Sequence, residues 1–295
     1  MNTASLSRPA ALPSLVWPAL FILMWSSGYV AGKLGLPYAG PFTLIFIRFT
    51  SAALVMLLVS WLTRAAWPSK PKEYLHLAVV GFFVQALQFS GLYFGLSHGV
   101  SAGVSALVVG MMPIFTAVGA VLFLSERVTA KQVAGLAVGL LGVVIVVSNK
   151  LSFERTDWVG YVAVLVALAG ITIGTLYQKK FCVGIDLRTA GFVQLTVASV
   201  LAGLLANTLE GFAVVWTPML VGASAWLSLV NSIGAVSVLF MMMRRGQASK
   251  IAGLFYLIPS VTAVMGFAVL GETLTAIQVV GFMVSAGGVY LTTRG

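Results

Sequence analysis

Three carboxamides stand inside long apolar runs, where polar side chains are rare. Gln85 and Gln88 are three residues apart and share one face of any helix that carries them; Asn231 lies in a second run. A carboxamide donates and accepts hydrogen bonds without carrying charge, which suits a polar or zwitterionic small molecule held in hydrocarbon surroundings. It serves equally as interhelical glue, worth about 1 kcal/mol per bond. Both roles fit all three residues. Arg48 is the one charge well inside an apolar run. An intramembrane charge faces protein or water rather than lipid, so Arg48 has three candidate roles: attracting a carboxylate, gating the outer half, or bonding the carbonyls of a kinked helix.

Trp25 and Tyr29 are four residues apart and can form one wall. Pro113 and Pro259 should kink their helices and free carbonyls that a cavity can use. Near them lie Met112, Tyr256, Ser260 and, two turns earlier, Ser105. Met and Tyr make an adaptable apolar wall with an occasional hydrogen bond; core packing accounts for the same residues. Glu126 and Glu272 close two apolar runs and fit either alternating gate contacts or caps of the turns that follow. The other acids, Glu73, Glu154, Asp157, Asp186 and Glu210, read as solvated loop residues. Tyr93 and Tyr177, toward helix ends, fit the aromatic belt of a membrane interface, as do Trp61, Trp67, Trp158 and Trp216.

The chemistry the chain lacks is as informative. No Asp or Glu falls at mid-run depth, so the usual carboxylate proton relay is missing. No reactive pair suits an intramembrane protease, and no Gly-rich phosphate loop suits an ATPase. His76 and His98 have no partner at metal-ligand spacing, and Cys182 is the single cysteine. No catalytic residue, metal or cofactor is expected.

The elements that must position these residues follow from composition. Of 295 residues 60% are apolar and only 8% charged, against about 25% charged in soluble chains; the mean hydropathy is +1.04. A soluble domain is excluded, as is disorder. The apolar runs predict membrane helices near 13–35, 41–62, 74–96, 101–124, 132–148, 158–177, 189–207, 216–243, 249–270 and 277–293. Gln85 then lies about 16 Å deep in a core about 30 Å thick. The first helix reads as an uncleaved span rather than a signal peptide.

The net charge of +10 resolves into topology. With a cytoplasmic N-terminus, the inner segments hold Arg8, Arg64, Lys70, Lys72, Arg127, Lys131, Lys179, Lys180, Arg188, Arg244, Arg245, Lys250 and Arg294. The outer segments hold Lys33, Lys150 and Arg155. That bias puts both termini in the cytoplasm and removes the need for a nucleic-acid partner.

At an offset of 146 residues the chain repeats itself: Pro113 falls on Pro259, Glu126 on Glu272, Gln132 on Gln278, Gly135 on Gly281 and Gly142 on Gly288. The same offset pairs Gly28 with Gly174, Lys33 with Lys179 and Gln85 with Asn231. Five spans per repeat is an odd number, so the second repeat enters the membrane in the opposite sense. Such inverted repeats supply two exchangeable conformations around a site near the midplane.

Trp25-Ser26-Ser27-Gly28-Tyr29-Val30-Ala31-Gly32-Lys33 and Phe46-Ile47-Arg48-Phe49-Thr50-Ser51-Ala52-Ala53 resemble two motifs of the drug/metabolite transporter superfamily, EamA-like branch. So does the doubled pattern Pro113, Glu126, Gln132, Gly135 and Pro259, Glu272, Gln278, Gly281. The resemblance implies an all-α integral membrane protein with ten transmembrane helices in two inverted five-helix repeats, 1–148 and 149–295. It implies a multi-pass transporter of the bacterial inner (cytoplasmic) membrane, often an exporter of amino acids or other small metabolites. The expected partners are a small-molecule substrate and the lipid bilayer, as monomer or homodimer. Facilitated export of amino acids is the first expectation; a proton-coupled exporter of another metabolite or drug, or a channel, is the alternative.

Overall fold

The computed structural model describes residues 16–124, 129–148, 158–244, 255 and 257–293. They form helices α1 (Val16–Gly35), α2 (Pro41–Leu62), α3 (Pro71–Ser97), α4 (in two pieces, Ala102–Val109 and Met112–Leu124), α5 (Ala130–Ser148), α6 (Trp158–Phe181), α7 (Leu187–Glu210), α8 (218–244), α9 (Leu257–Leu270) and α10 (Ala276–Thr293). Among the described residues there is no strand, only an isolated bridge between Ala39 and Val214. Among the described residues, five helices, α2, α3, α6, α7 and most of α8, are long and apolar enough to cross a membrane.

Helix starts follow local chemistry. α3 begins three residues before the expected position because Pro71 is at home in a first turn and the Glu73 carboxylate accepts from Ser69 N at 2.9 Å. α7 begins at Leu187 because Asp186 caps it, accepting from Arg188 N at 2.9 Å. Glu73 and Asp186 are therefore structural caps rather than plain solvated acids. Gly99, Gly211 and Gly271 close α3, α7 and α9 at φ of 86°, 59° and 66°, a left-handed turn that a Cβ would oppose.

Two helices depart from regular α geometry at matching places. α3 is π-helical over Gly81–Leu87 and α8 over Trp226–Ala235, stretches that the 146-residue offset superimposes. π-bulges inside α-helices commonly sit at functional sites. α4 is broken at Gly110 and Met111 rather than bent at Pro113, because the proline has no N–H to donate and its ring clashes with the preceding turn, where Met111 N bonds Val108 O at 3.2 Å instead of continuing the α pattern.

The packing has the same internal echo. α1 packs on α8 and α9, and its counterpart α6 packs on α3 and α4. α2, α4 and α5 each pack on their own counterparts, α7, α9 and α10. The α5–α10 seam is the closest: a Cβ on Gly288 would stand 2.2 Å from Gly139 N, and one on Gly142 2.4 Å from Ser285 N. Small residues let these backbones touch, as in membrane bundles. Large apolar side chains point outward instead, for example Leu54, Leu58, Trp61 and Leu62 along α2 and Leu165 and Val166 on α6. A bundle with small buried residues and Leu-rich outer faces has the surface a bilayer requires.

Candidate substrate cavity

A cavity of about 520 Å³ enters the bundle between α1, α2, α3, α6, α7 and α8, within the range of small-molecule sites. Its walls run from Arg48 and Tyr93 at mid-bundle to Val59, Gln178, Leu187 and Arg188 at one end. None of Lys33, Glu210 or Glu272, which lie at the opposite end, lines it.

That opposite end is tied shut. Lys33 Nζ donates to Glu272 Oε1 at 2.6 Å, and the same oxygen accepts from Ala102 N at 2.9 Å. Glu272 thus caps α4 across the bundle, while its own turn is closed by Thr275 N donating to Gln278 Oε1 at 3.1 Å. Glu210 caps α2, accepting from Phe42 N at 2.9 Å, Thr43 N at 2.8 Å and Thr43 Oγ1 at 2.6 Å. It is a bridging residue, not the solvated loop acid that its sequence neighbours suggest. A carboxylate at a helix N-terminus meets unpaired amides and the positive end of the helix dipole. Both acids find that partner in a different helix.

Trp25, Tyr29, Arg48, Gln85, Gln88 and Asn231 all line the cavity. Asn231, from the π-helical stretch of α8, also bonds α1: Nδ2 donates to Met24 O at 2.6 Å. It reaches there because Gly28 leaves room, a Cβ at that position standing 2.4 Å from Nδ2. Gln85 and Gln88 make no side-chain hydrogen bond among the described residues. Arg48 is 5% exposed. Its Nη1 donates to Tyr93 OH at 2.6 Å and its Nε to Ser232 Oγ at 3.0 Å, and its guanidinium lies 4.3 Å from the Phe89 ring centroid, a cation–π contact.

The other expected residues fall elsewhere. Met112 and Pro113 border a side pocket of about 20 Å³ that Trp25, Tyr29 and Gln88 also line. Pro259 borders a void of about 10 Å³ against α4. Ser105 is fully buried in α4, its Oγ without a partner among the described residues. Ser260 is half-buried on α9 and lines none of these spaces. Tyr256 and Glu126 lie outside the described residues. No group of acids, histidines and cysteines able to hold a metal occurs among the described residues.

The polar lining also includes Tyr93, Gln178, Gln194, Ser232 and Ser237, none of which the sequence assigned to a cavity. Tyr93 is fully buried and holds Arg48, so the interface-belt assignment is corrected; its depth along α3 had pointed to the headgroup region. Tyr177 turns to His76, its OH 2.8 Å from Nδ1. Gln194 had a readable signal, because the 146-residue offset lays it on Arg48.

A helical bundle with a lipid-compatible exterior and an apolar-walled cavity, set with a few polar side chains and closed at one end, is built to pass a solute across a membrane. The chain belongs to the EamA-like transporter family, whose profile matches twice, over residues 12–148 and 158–294. It is a transporter and not an enzyme. It is 27% identical to a probable amino-acid metabolite efflux pump of Salmonella typhimurium, over 94% of this chain and 93% of that one. It is 28% identical to a probable terminal-alkyne amino-acid exporter of Streptantibioticus cattleyicolor, over 96% and 94%. An uncharacterized transporter of Archaeoglobus fulgidus is 27% identical over 93% and 95%. A solved crystal structure shares the fold with a TM-score of 0.69 at 17% identity, covering 95% of this chain and 96% of that one.

Proposed function

We propose that the chain exports amino acids or closely related small metabolites across the bacterial inner membrane by alternating access. Ten transmembrane helices form two inverted five-helix repeats, 1–148 and 149–295, with both termini cytoplasmic. The observation that carries this reading is the cavity: mostly apolar walls set with Arg48, Gln85, Gln88 and Asn231, large enough for a metabolite, reaching mid-bundle from one end and tied shut at the other by Lys33–Glu272. The mouth lies at the end carrying Lys179, Lys180 and Arg188, so with the positive charges inside the cavity faces the cytoplasm. The names of the relatives support amino acids as the cargo. The cavity lining has no Asp or Glu among the described residues, which favours facilitated transport over proton coupling.

Proteoliposomes preloaded with unlabelled neutral or aromatic amino acids should take up the labelled form with saturation and counterflow, without any ion gradient. Non-saturating flux without counterflow would replace the transporter by a channel. Uptake that requires a pH gradient would end the facilitated reading.

A further inference from the structure

The electrostatics of the cavity are lopsided. Its walls contain two cations, Arg48 and Arg188, and no acid among the described residues. Arg188, at the mouth, is already neutralised by Asp186, with Nη2 2.5 Å from Oδ2. Arg48, at the mid-bundle limit of the cavity, is held among the described residues by the neutral hydroxyls of Tyr93 and Ser232 and the faces of Phe89 and Phe49. These partners orient the guanidinium but do not cancel its charge. Its Nη2 has no hydrogen-bond partner among the described residues. The acids of the closed end, Glu210 and Glu272, are spent on α2, α4 and Lys33.

We propose that Arg48 is a carboxylate anchor, and that the site selects small organic monoanions by their unmatched carboxylate. N-acylated amino acids and 2-hydroxy acids are the chemical class. An unpaired buried charge is costly, and a bound carboxylate removes that cost with one charge-assisted bond or a forked pair. A monoanion leaves the occupied site neutral at Arg48. A free amino acid brings an ammonium as well, and among the described residues the walls offer it no carboxylate, only the oxygens of carboxamides and hydroxyls and the faces of aromatic rings. The repeat sharpens the geometry. Gln194 stands at the position equivalent to Arg48 and lines the same cavity, so one half presents a charge and the other a neutral carboxamide. That asymmetry fixes which end of the substrate meets which repeat, with the amide or hydroxyl at Gln194.

The inference rests on the transport reading above and refines its cargo. Purified full-length chain in proteoliposomes would be offered L-leucine, N-acetyl-L-leucine, 2-hydroxy-4-methylpentanoate and L-leucinamide, each as competitor and as labelled cargo. N-acetyl-leucine and the hydroxy acid should compete at concentrations at least tenfold below leucinamide, with free leucine between them. Arg48→Gln should abolish the preference for a carboxylate. Arg48→Lys should keep part of it, since the charge survives but the fork does not. The wild-type comparison needs no variant to fold. Leucinamide competing as well as N-acetyl-leucine, or an unaltered preference in R48Q, would overturn the anchor while leaving transport intact. Transport of the monoanions without transport of leucine would uphold the anchor and overturn amino acids as cargo. Failure of the whole series to compete or be carried would overturn both.

Discussion

Gly28 and Asn231 occupy each other's space, and that pairing makes a measurable cycle. Gly28→Ala would set a Cβ 2.4 Å from Asn231 Nδ2 and 2.9 Å from its Cγ, pushing the carboxamide off the Met24 carbonyl it now reaches at 2.6 Å. Overpacking of this kind costs about 1–3 kcal/mol. G28A should therefore lower the unfolding temperature of detergent-solubilised protein, and N231A should lower it less. The double variant should be more stable than the two losses added, because both act on the same contact; strict additivity would show that the two side chains are not coupled. At this scale much of the site was legible. Gln85, Gln88 and Asn231 were conspicuous as polar residues in apolar runs, and Arg48 as a lone charge. What stayed hidden was partnership: nothing in the sequence says that Tyr93 and Ser232, from different helices, meet on one guanidinium.

At the scale of the elements, the closed end depends on two carboxylates that each cap a neighbour's helix. Glu272 joins Lys33 on α1 to the first turn of α4, so moving the end of α9 away from α1 and α4 breaks an ion pair and uncaps a helix together. Glu272→Gln should weaken that latch and raise the population of the form open at the Lys33 end. A cysteine placed at Gln85 in a Cys182→Ser background should then react several-fold faster with an impermeant maleimide added on that side; an unchanged rate would remove the latch role. Helix positions were mostly legible from hydropathy, since long apolar runs leave a backbone in lipid little choice but helix. The π-helical stretches of α3 and α8 were not, because a change in pitch over seven to ten residues barely disturbs the hydrophobic pattern. Pro113 announced a disruption, but the break falls on the turn before it. Glu210 was misjudged because sequence shows a cap only when acid and helix start are adjacent.

For the whole molecule, orientation is the property on which the direction of the cavity depends, and the single cysteine reports it. Cys182 follows α6 at the mouth end, so an impermeant maleimide should label it in inside-out vesicles and not in intact cells. Partial burial pushes the thiol pKa up, so labelling should accelerate as the medium is made alkaline, since the thiolate is the reactive form. Labelling of intact cells instead would turn the cavity toward the outside. The repeat was legible in the sequence, yet its physical meaning shows only in the packing. Ser285 Oγ donates to Gly139 O at 3.1 Å, and those residues are 146 apart, the repeat offset itself. In an exchange that swaps the roles of two equivalent halves, a pair of equivalent positions that touch must be carried into itself. Under the alternating access proposed above, the α5–α10 seam would be the fulcrum: the place where nothing needs to travel, about which the cavity walls would tip, and where glycine would serve stillness rather than flexibility.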